Sequence, residues 1–567
     1  MQPLLEIKNL SVDFVTEKKS VTALRNVSFS VNRGEIVALV GESGSGKSVT
    51  SLSILQLLPA PPAKFTKGEI LFSEDQRNCI NLLQLKDKEL QQIRGNKIAM
   101  VFQEPMTSLN PVMTCGDQVA ETIRLHKNVS RKKAARETIS WFEKVQLPDP
   151  AKIFYRYPHQ LSGGQKQRVM IAMAMACEPA LLICDEPTTA LDVTVQKTIL
   201  TLIKDLQKQV NMGVIFITHD LGVVAEIADR AVVMYKGEIL EHNTVDKIFR
   251  QPAHAYTKAL LTCRPVLHKK GDRLPVVSDF LDHATPPPNN TGSAIAKNKN
   301  QQPSTVLLQA EHLSVLYPSR NNIFGKPVSF TAAVDDVNFV VYKDEILGLV
   351  GESGCGKTTL GRTLLRLVEP THGTIYYNGQ NLTAQNEKAL KPLRKDLQLV
   401  FQDPYSSLNP RLTIGEAITE PMRVHGLLSR KERKEKAIAL LEKVNLTADF
   451  FNRYPHEFSG GQRQRIVIAR ALALNPSFLV CDESVSALDV SVQAQVLNLL
   501  NDLKNEFGFT VIFISHDLAV VRYISDRIMV MQKGKIIESG NPDTIYFNPA
   551  HDYTKNLIAS IPKGISA

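Results

Sequence analysis

The octapeptide Gly41-Glu42-Ser43-Gly44-Ser45-Gly46-Lys47-Ser48 restricts the fold more than any other stretch, and it recurs as Gly351-Glu352-Ser353-Gly354-Cys355-Gly356-Lys357-Thr358. Both fit the spacing G-x-x-x-x-G-K-[ST], in which glycines let successive backbone N–H groups turn inward around polyphosphate. Lys47 and Lys357 each add a point charge for the β and γ phosphates, and the Ser48 and Thr358 hydroxyls can ligate Mg²⁺. Apolar Ile36–Val40 reads as a buried strand entering the first loop, and Ser51–Leu58 has helical spacing on leaving it. A helix N-terminus therefore faces the phosphates, with Val49 and Thr359 as the next residues of the two nucleotide-binding stretches.

A chain of 567 residues is too long for one core, and the repeated loop divides it into two large units. Its composition, 43% hydrophobic and 22% charged, is that of a globular protein. No uninterrupted apolar run approaches the ~20 residues that a spanning helix needs, and the opening Met1–Glu6 lacks the pattern of a secretion signal. These features predict a cytoplasmic location. The seven cysteines show no C-x-x-C spacing, which argues against zinc and against a disulfide framework. A net charge of +10 is a mild excess over this length and points to no nucleic-acid partner.

Aligned on the two loops, the halves also pair Gln103 with Gln402, Ser162 with Ser459, Asp185 with Asp482, His219 with His516 and His254 with His551. Between the loop lysine and the glutamine the first copy is longer, and the excess is placed at a surface insertion around Glu74–Asn78. Residues 1–265 and 304–567 form the two copies. Residues 266–303, with Pro286–Gly292 and Lys297–Pro303, read as a flexible linker unable to bury apolar surface. Each copy opens with strands and closes with alternating strands and helices, with a helical section between. The runs Ala180–Cys184 and Gly213–Ile217 read as parallel strands buried on both faces. The fold class is thus α/β, with two tandem P-loop domains.

Leu161-Ser162-Gly163-Gly164-Gln165 precedes Leu181-Leu182-Ile183-Cys184-Asp185-Glu186, and Phe458-Ser459-Gly460-Gly461-Gln462 precedes Val480-Cys481-Asp482-Glu483. An apolar strand ending in Asp185 or Asp482 delivers a carboxylate beside the Mg²⁺ site. The adjoining Glu186 or Glu483 is the better candidate to orient water or accept its proton. Ser162 to Gln165 and Ser459 to Gln462 each open a helix and make a second anion-binding terminus in the same copy.

In this order, phosphate loop, glutamine, LSGGQ, aspartate–glutamate pair and histidine resemble the ATP-binding subunits of ABC transporters. Ser108-Leu109-Asn110-Pro111, Ser407-Leu408-Asn409-Pro410 and the repeated Ala253-His254-Ala255-Tyr256-Thr257-Lys258 and Ala550-His551-Asp552-Tyr553-Thr554-Lys555 resemble the dipeptide, oligopeptide and nickel importers, here with two ATPase subunits fused. The resemblance implies a RecA-like core with a β-subdomain and a helical insert in each half. It also implies ATP and Mg²⁺ as cofactors, and head-to-tail composite sites joining Lys47 to Ser459–Gln462 and Lys357 to Ser162–Gln165. Gln103 and Gln402 are implied at the metal or water, His219 and His516 at the γ-phosphate, and Phe14 and Tyr317 against adenine. The implied partners are two membrane permease subunits on other chains and, indirectly, a substrate-binding protein, with the ATPase on the cytoplasmic face of the membrane.

Peptide is the cargo that the resemblance favours, with nickel, glutathione-like conjugates and peptide antibiotics open. Some of the importers that the chain resembles end in a four-cysteine extension; here only Cys263 lies near that position, and no iron–sulfur centre is expected. A soluble tandem ABC ATPase acting on ribosomes is the alternative reading, although a Pro- and Asn-rich linker suits it poorly. Cys355, beside a helix N-terminus and Lys357, is expected to have a lowered thiol pKa and to be alkylated readily.

Overall fold

The computed structural model describes residues 2–16, 19–75, 77–189, 191–281, 305–321, 327–486, 488–562 and 564. Two compact units divide the chain at Leu261 and Thr262; Asp192–Thr194 group with the second unit and Pro562 with the first.

In the first unit the strands Arg230–Tyr235, Ile36–Val40, Gly213–Thr218, Leu181–Asp185 and Ile98–Val101 run parallel in that spatial order, and Glu238–Thr244 adds an antiparallel edge. Side chains alternate across the sheet, so each strand feeds two cores. Leu182, Cys184, Val214 and Phe216 pack with the helical insert, while Leu181, Ile183, Ile215 and Ile217 pack toward the N-terminal strands. That two-sided burial explains why the strands read as continuous apolar runs instead of alternating ones. The insert comprises Cys115–Lys127, Arg131–Lys144, Pro150–Phe154 and Gly163–Met175. On the other face lies an antiparallel sheet of Lys19–Val31, Leu5–Thr16, Ala63–Phe72 and Ile80–Asn81.

The second unit repeats both sheets. Its parallel strands, in spatial order, are Leu397–Val400, Phe478–Asp482, Thr510–Ser515, Ile346–Val350 and Arg527–Gln532, and the antiparallel sheet is built on Val306–Asn321 and Pro327–Tyr342. The insert helices are Ile414–Val424, Arg430–Lys443 and Gly460–Leu472.

Three details differ from the sequence reading. The helix leaving the first loop is Lys47–Ile54 rather than one reaching Leu58, because Gln56 takes a left-handed φ of 47° and ends it. The extra length of the first copy is split. Part of it extends a strand, so that Ala63, Lys64 and Phe65 pair with Phe14, Asp13 and Val12, where the second copy's pairing stops at Ser314 and His372. Another part is the turn 73–79 between Phe72 and Ile80, against Asn378 and Gly379 between Tyr377 and Gln380.

Residues 266–281, the start of the stretch read as a flexible linker, are packed within the second unit. There the Leu274 N–H donates to Asn498 Oδ1 at 3.0 Å, Asn498 Nδ2 donates back to the Leu274 carbonyl at 2.8 Å, and the Tyr523 hydroxyl donates to the Asp272 carbonyl at 2.7 Å. Pro286–Gly292 and Lys297–Pro303 lie outside the described residues.

Candidate nucleotide site

Each phosphate loop hangs between a buried parallel strand and a helix whose first residue is the loop lysine. Gly46 and Gly356 take φ of 103° and 110°, and a Cβ there would meet Leu24 Cδ2 at 2.7 Å or the Ala333 carbonyl oxygen at 2.0 Å. Only glycine fits such a position. Ser43 and Gly44 form the exposed tip of the first loop, as Ser353 and Gly354 do of the second, while Gly41 and Gly351 are buried at the strand ends. Val49 packs against the core under the N-terminal sheet, and the Thr359 carbonyl accepts from the Thr363 hydroxyl.

Lys47 Nζ donates to the carbonyls of Gly41 and Glu42 at 2.7 and 2.9 Å, and Lys357 Nζ to those of Gly351 and Glu352 at 2.8 and 2.9 Å. The Ser48 hydroxyl donates to Asp185 Oδ1 at 3.1 Å, and Thr358 donates to Asp482 Oδ1 at 2.9 Å. One hydroxyl and one carboxylate are hard oxygen donors of the kind Mg²⁺ takes from protein when water and phosphate complete its shell. Among the described residues there is no cluster of three or more His, Cys, Asp or Glu able to hold a metal alone.

The sequence-identified glutamine and histidine converge on the glutamate that follows. Gln103 Nε2 donates to Glu186 Oε2 at 3.1 Å, and His219 Nδ1 lies 3.4 Å from the same oxygen. In the second unit Gln402 Nε2 donates to Glu483 Oε2 at 2.9 Å, with His516 Nδ1 at 3.5 Å. Glu186 and Glu483 both sit at φ 46°, a left-handed conformation that a non-glycine residue adopts only where the surroundings impose it.

Adjacent carboxylates are pushed in opposite directions. Burial raises Asp185 to about 6, against the Ser48 hydrogen bond. Burial also opposes ionisation of Glu186, yet the histidine beside it, Lys47 and the Thr189 hydroxyl together hold it down at about 2. In the second unit Asp482 is likewise raised by burial, whereas Glu483 is lowered by His516 and Lys357 despite burial. Each site therefore sets a carboxylate that ionises readily beside one that gives up its proton less readily.

Ser162 and Ser459 start the helices Gly163–Met175 and Gly460–Leu472 through capping boxes with Gln165 and Gln462. Ser162 Oγ accepts the Gln165 N–H at 3.3 Å while Gln165 Oε1 accepts the Ser162 N–H at 3.1 Å; the second copy repeats this at 3.4 and 3.1 Å. The second glycine of each pair is required by packing. A Cβ on Gly164 would meet Val195 Cγ1 at 2.7 Å and one on Gly461 would meet Val492 Cγ1 at 2.3 Å, whereas Gly460 faces open space.

Phe14 is half-buried in its strand opposite Val21 and Ala63, and Tyr317 is exposed opposite Thr331. The expectation for Cys355 is corrected. Its thiol is buried in the core beneath the loop, and burial raises its pKa in spite of Lys357 Nζ at 3.9 Å.

Sequence reasoning missed Thr189, whose hydroxyl donates to Glu186 Oε2 at 3.0 Å. No motif marks it, and Ser486 in its place donates to the Glu483 main-chain carbonyl instead.

The description "ABC transporter" matches residues 24–189 and 334–486, and "Oligopeptide/dipeptide transporter, C-terminal region" matches 240–280 and 537–564. The glutathione import ATP-binding protein GsiA of Escherichia coli O157:H7 and that of E. coli K12 are each 50% identical over 564 residues, covering 99% of this chain and 89% of theirs. The counterpart from Shigella flexneri is 50% identical over 566 residues, with the same coverage. A solved dimer of the ATP-binding cassette MJ0796, bound to ADP and Pi, aligns with 42% of this chain at 29% identity and a TM-score of 0.38. Nothing among these likenesses supports the ribosome-directed alternative. With both family regions present twice and 50% identity to such relatives over 99% of its length, the chain belongs to the ABC transporters, as an ATP-binding and ATP-hydrolysing subunit of the oligopeptide and dipeptide group.

Proposed function

We propose that this chain energises the uptake of a small peptide, with glutathione or a glutathione-like conjugate as the first cargo to test. The observation that carries the cargo is the 50% identity, running through both halves, to import proteins named for glutathione. In this reading two permease subunits on separate chains form the pathway, a substrate-binding protein delivers the cargo, and the ATPase sits peripherally on the cytoplasmic membrane face. No helix among the described residues is long and apolar enough to cross a membrane.

Lys47 and Lys357 exchange their loop carbonyls for phosphate oxygens, and Ser48 with Asp185, like Thr358 with Asp482, would hold Mg²⁺. When bound, that ion supplies positive charge to the β and γ phosphate oxygens. Glu186 and Glu483, held ionised, orient water and accept its proton, and Gln103, Gln402, His219 and His516 fix each carboxylate in place. Phe14 and Tyr317 stack on adenine. Ser162–Gln165 and Ser459–Gln462 each complete the ATP site of the opposite half. Closure of the halves on ATP and their release after hydrolysis then drive transport.

Cells deleted for this chain should lose ATP-dependent uptake of labelled glutathione and recover it with the wild type, but not with a K47A/K357A variant. Unchanged glutathione uptake in the deletion, with loss of dipeptide uptake, would reassign the cargo. For the composite sites, S43C and S459C should cross-link in the presence of ATP, and hydrolysis without any such approach would refute the arrangement.

A further inference from the structure

The repeated His-x-Tyr-Thr-Lys segment has no role in the chemistry described so far, yet its histidine, tyrosine and threonine side chains each have a definite task. His254 Nδ1 accepts the Tyr256 N–H at 3.1 Å, and His551 Nδ1 accepts that of Tyr553 at 3.1 Å, so the histidine caps the helix that carries the tyrosine. Thr257 donates to Glu241 Oε2 at 2.7 Å, and that carboxylate also accepts the Ala253 and His254 N–H groups. Glu538 receives the same three donors, from Thr554, Ala550 and His551. The segment is thereby tied to the edge strand of the parallel sheet.

What this frame presents is a phenol. The Glu42 N–H donates to the Tyr256 hydroxyl at 3.0 Å, and the Glu352 N–H donates to the Tyr553 hydroxyl at 2.9 Å. Both tyrosines are buried, and Tyr256 also packs against the Tyr235 ring at 4.5 Å. The contact joins residues more than two hundred positions apart and recurs independently in each unit.

We infer that Tyr256 and Tyr553 are positioning residues for nucleotide binding: their hydroxyls hold the phosphate loop open in its binding shape. Lys47 and Lys357 cannot serve as that support, because their bonds to the loop carbonyls must be given up to reach phosphate. The tyrosine bond uses an amide at the base of the loop and stays in place through binding. A loop held in this way has less ordering to complete when ATP arrives, so the effect falls on affinity. The inference rests on the ATP-site reading above and assigns a task to the C-terminal region that marks this group.

The test uses the full chain with Tyr256→Phe and Tyr553→Phe, singly and together; Phe removes the hydroxyl and keeps the ring. Fluorescent ATP binding, steady-state kinetics and nucleotide-free melting are measured on each. The dissociation constant and KM should rise about tenfold at the altered site, because the loop released in the unliganded variant must be ordered again when ATP binds. Turnover at saturating ATP should hold near wild type, and the nucleotide-free melting temperature should fall by only a few degrees, as the loss of one net hydrogen bond implies. Unchanged affinity overturns the inference. So does a fall in melting temperature and turnover without a selective change in KM, which would show that the tyrosine only supports the fold. A wild-type chain that fails to bind ATP overturns the ATP-site reading and this inference together, whereas normal wild-type binding with unaffected Phe variants removes the inference alone.

Discussion

The two candidate nucleotide sites agree in every group that would face the reaction and differ in the groups one layer behind. Lysine, hydroxyl, aspartate, glutamate, glutamine and histidine are matched to within a few tenths of an ångström. Behind them, Glu186 has a hydroxyl donor in Thr189 where Glu483 has none from Ser486, and Ser45 in one loop is Cys355 in the other. The proposed reacting set is thus the same in both units while its supports differ. Two sites of equal competence and unequal tuning are what this difference predicts.

The largest effect tests the equality. Replacing Glu186 and Glu483 together by Gln should lower ATP turnover on the order of 10²–10⁴-fold, the usual worth of a positioned general base. Each single substitution should remove its own site's contribution. A single variant with wild-type turnover would mean that the altered site is silent and that the matched geometry misleads.

The signature glycines give the next contrast. Each Cβ added at the second glycine collides with a valine, more severely at Gly461 than at Gly164. Overpacking of this kind costs about 1–3 kcal/mol. Gly461→Ala should therefore lower the denaturation midpoint more than Gly164→Ala does, and an equal or reversed pair would show that the valine turns aside freely.

Thr189 sharpens the comparison through the rate. In a Glu483→Gln background, Thr189→Val removes a donor that helps hold Glu186 at about 2. The glutamate acts ionised and stays so after a modest rise from so low a value, whereas Asp185, raised to about 6, is the carboxylate that protonates first as pH falls. Losing the bond should therefore lower kcat about threefold to tenfold near neutral pH, through a less firmly held carboxylate, and leave the acid limb where it is. Ser486→Val, measured in a Glu186→Gln background, removes only a main-chain contact and should leave kcat unchanged. Equal falls in the two would erase the proposed difference in tuning.

How far these differences could be read in advance follows from where their causes lie. The loops, the signature and the acidic pair are contiguous, and their chemistry depends on residues a few positions apart, so the sequence exposes them. The buried strands were legible for the same reason: two-sided burial writes an unbroken apolar run. Burial of Cys355 was not, because a short-range argument from the helix terminus and Lys357 omits the core beneath the loop. The turn at Gln56 was hidden by apolar spacing that continues through Leu57 and Leu58. Tyr256 stood in a visible repeated motif, yet its contact with Glu42 is created only by the folding of the whole unit.

Ser45 and Cys355 supply the smallest effect and the most direct test of that missing information. Both side chains tuck beneath the first glycine of their loop, where a Cβ on Gly41 or Gly351 would lie 2.8 Å from Oγ or Sγ. Ser45 Oγ is buried with no hydrogen-bond partner, whereas a thiol in the same place behaves as a small apolar group. An orphaned hydroxyl destabilises by about 1 kcal/mol or more. Cys355→Ser should accordingly lower stability by about that amount, and Ser45→Cys should be neutral or stabilising, as read by nucleotide-free chemical denaturation. Because burial raises the Cys355 thiol, iodoacetamide at neutral pH should modify it far more slowly than exposed Cys79, with or without ATP. Rapid labelling of Cys355 that MgATP suppresses would restore the reactive thiol expected from sequence and show that the loop opens in solution.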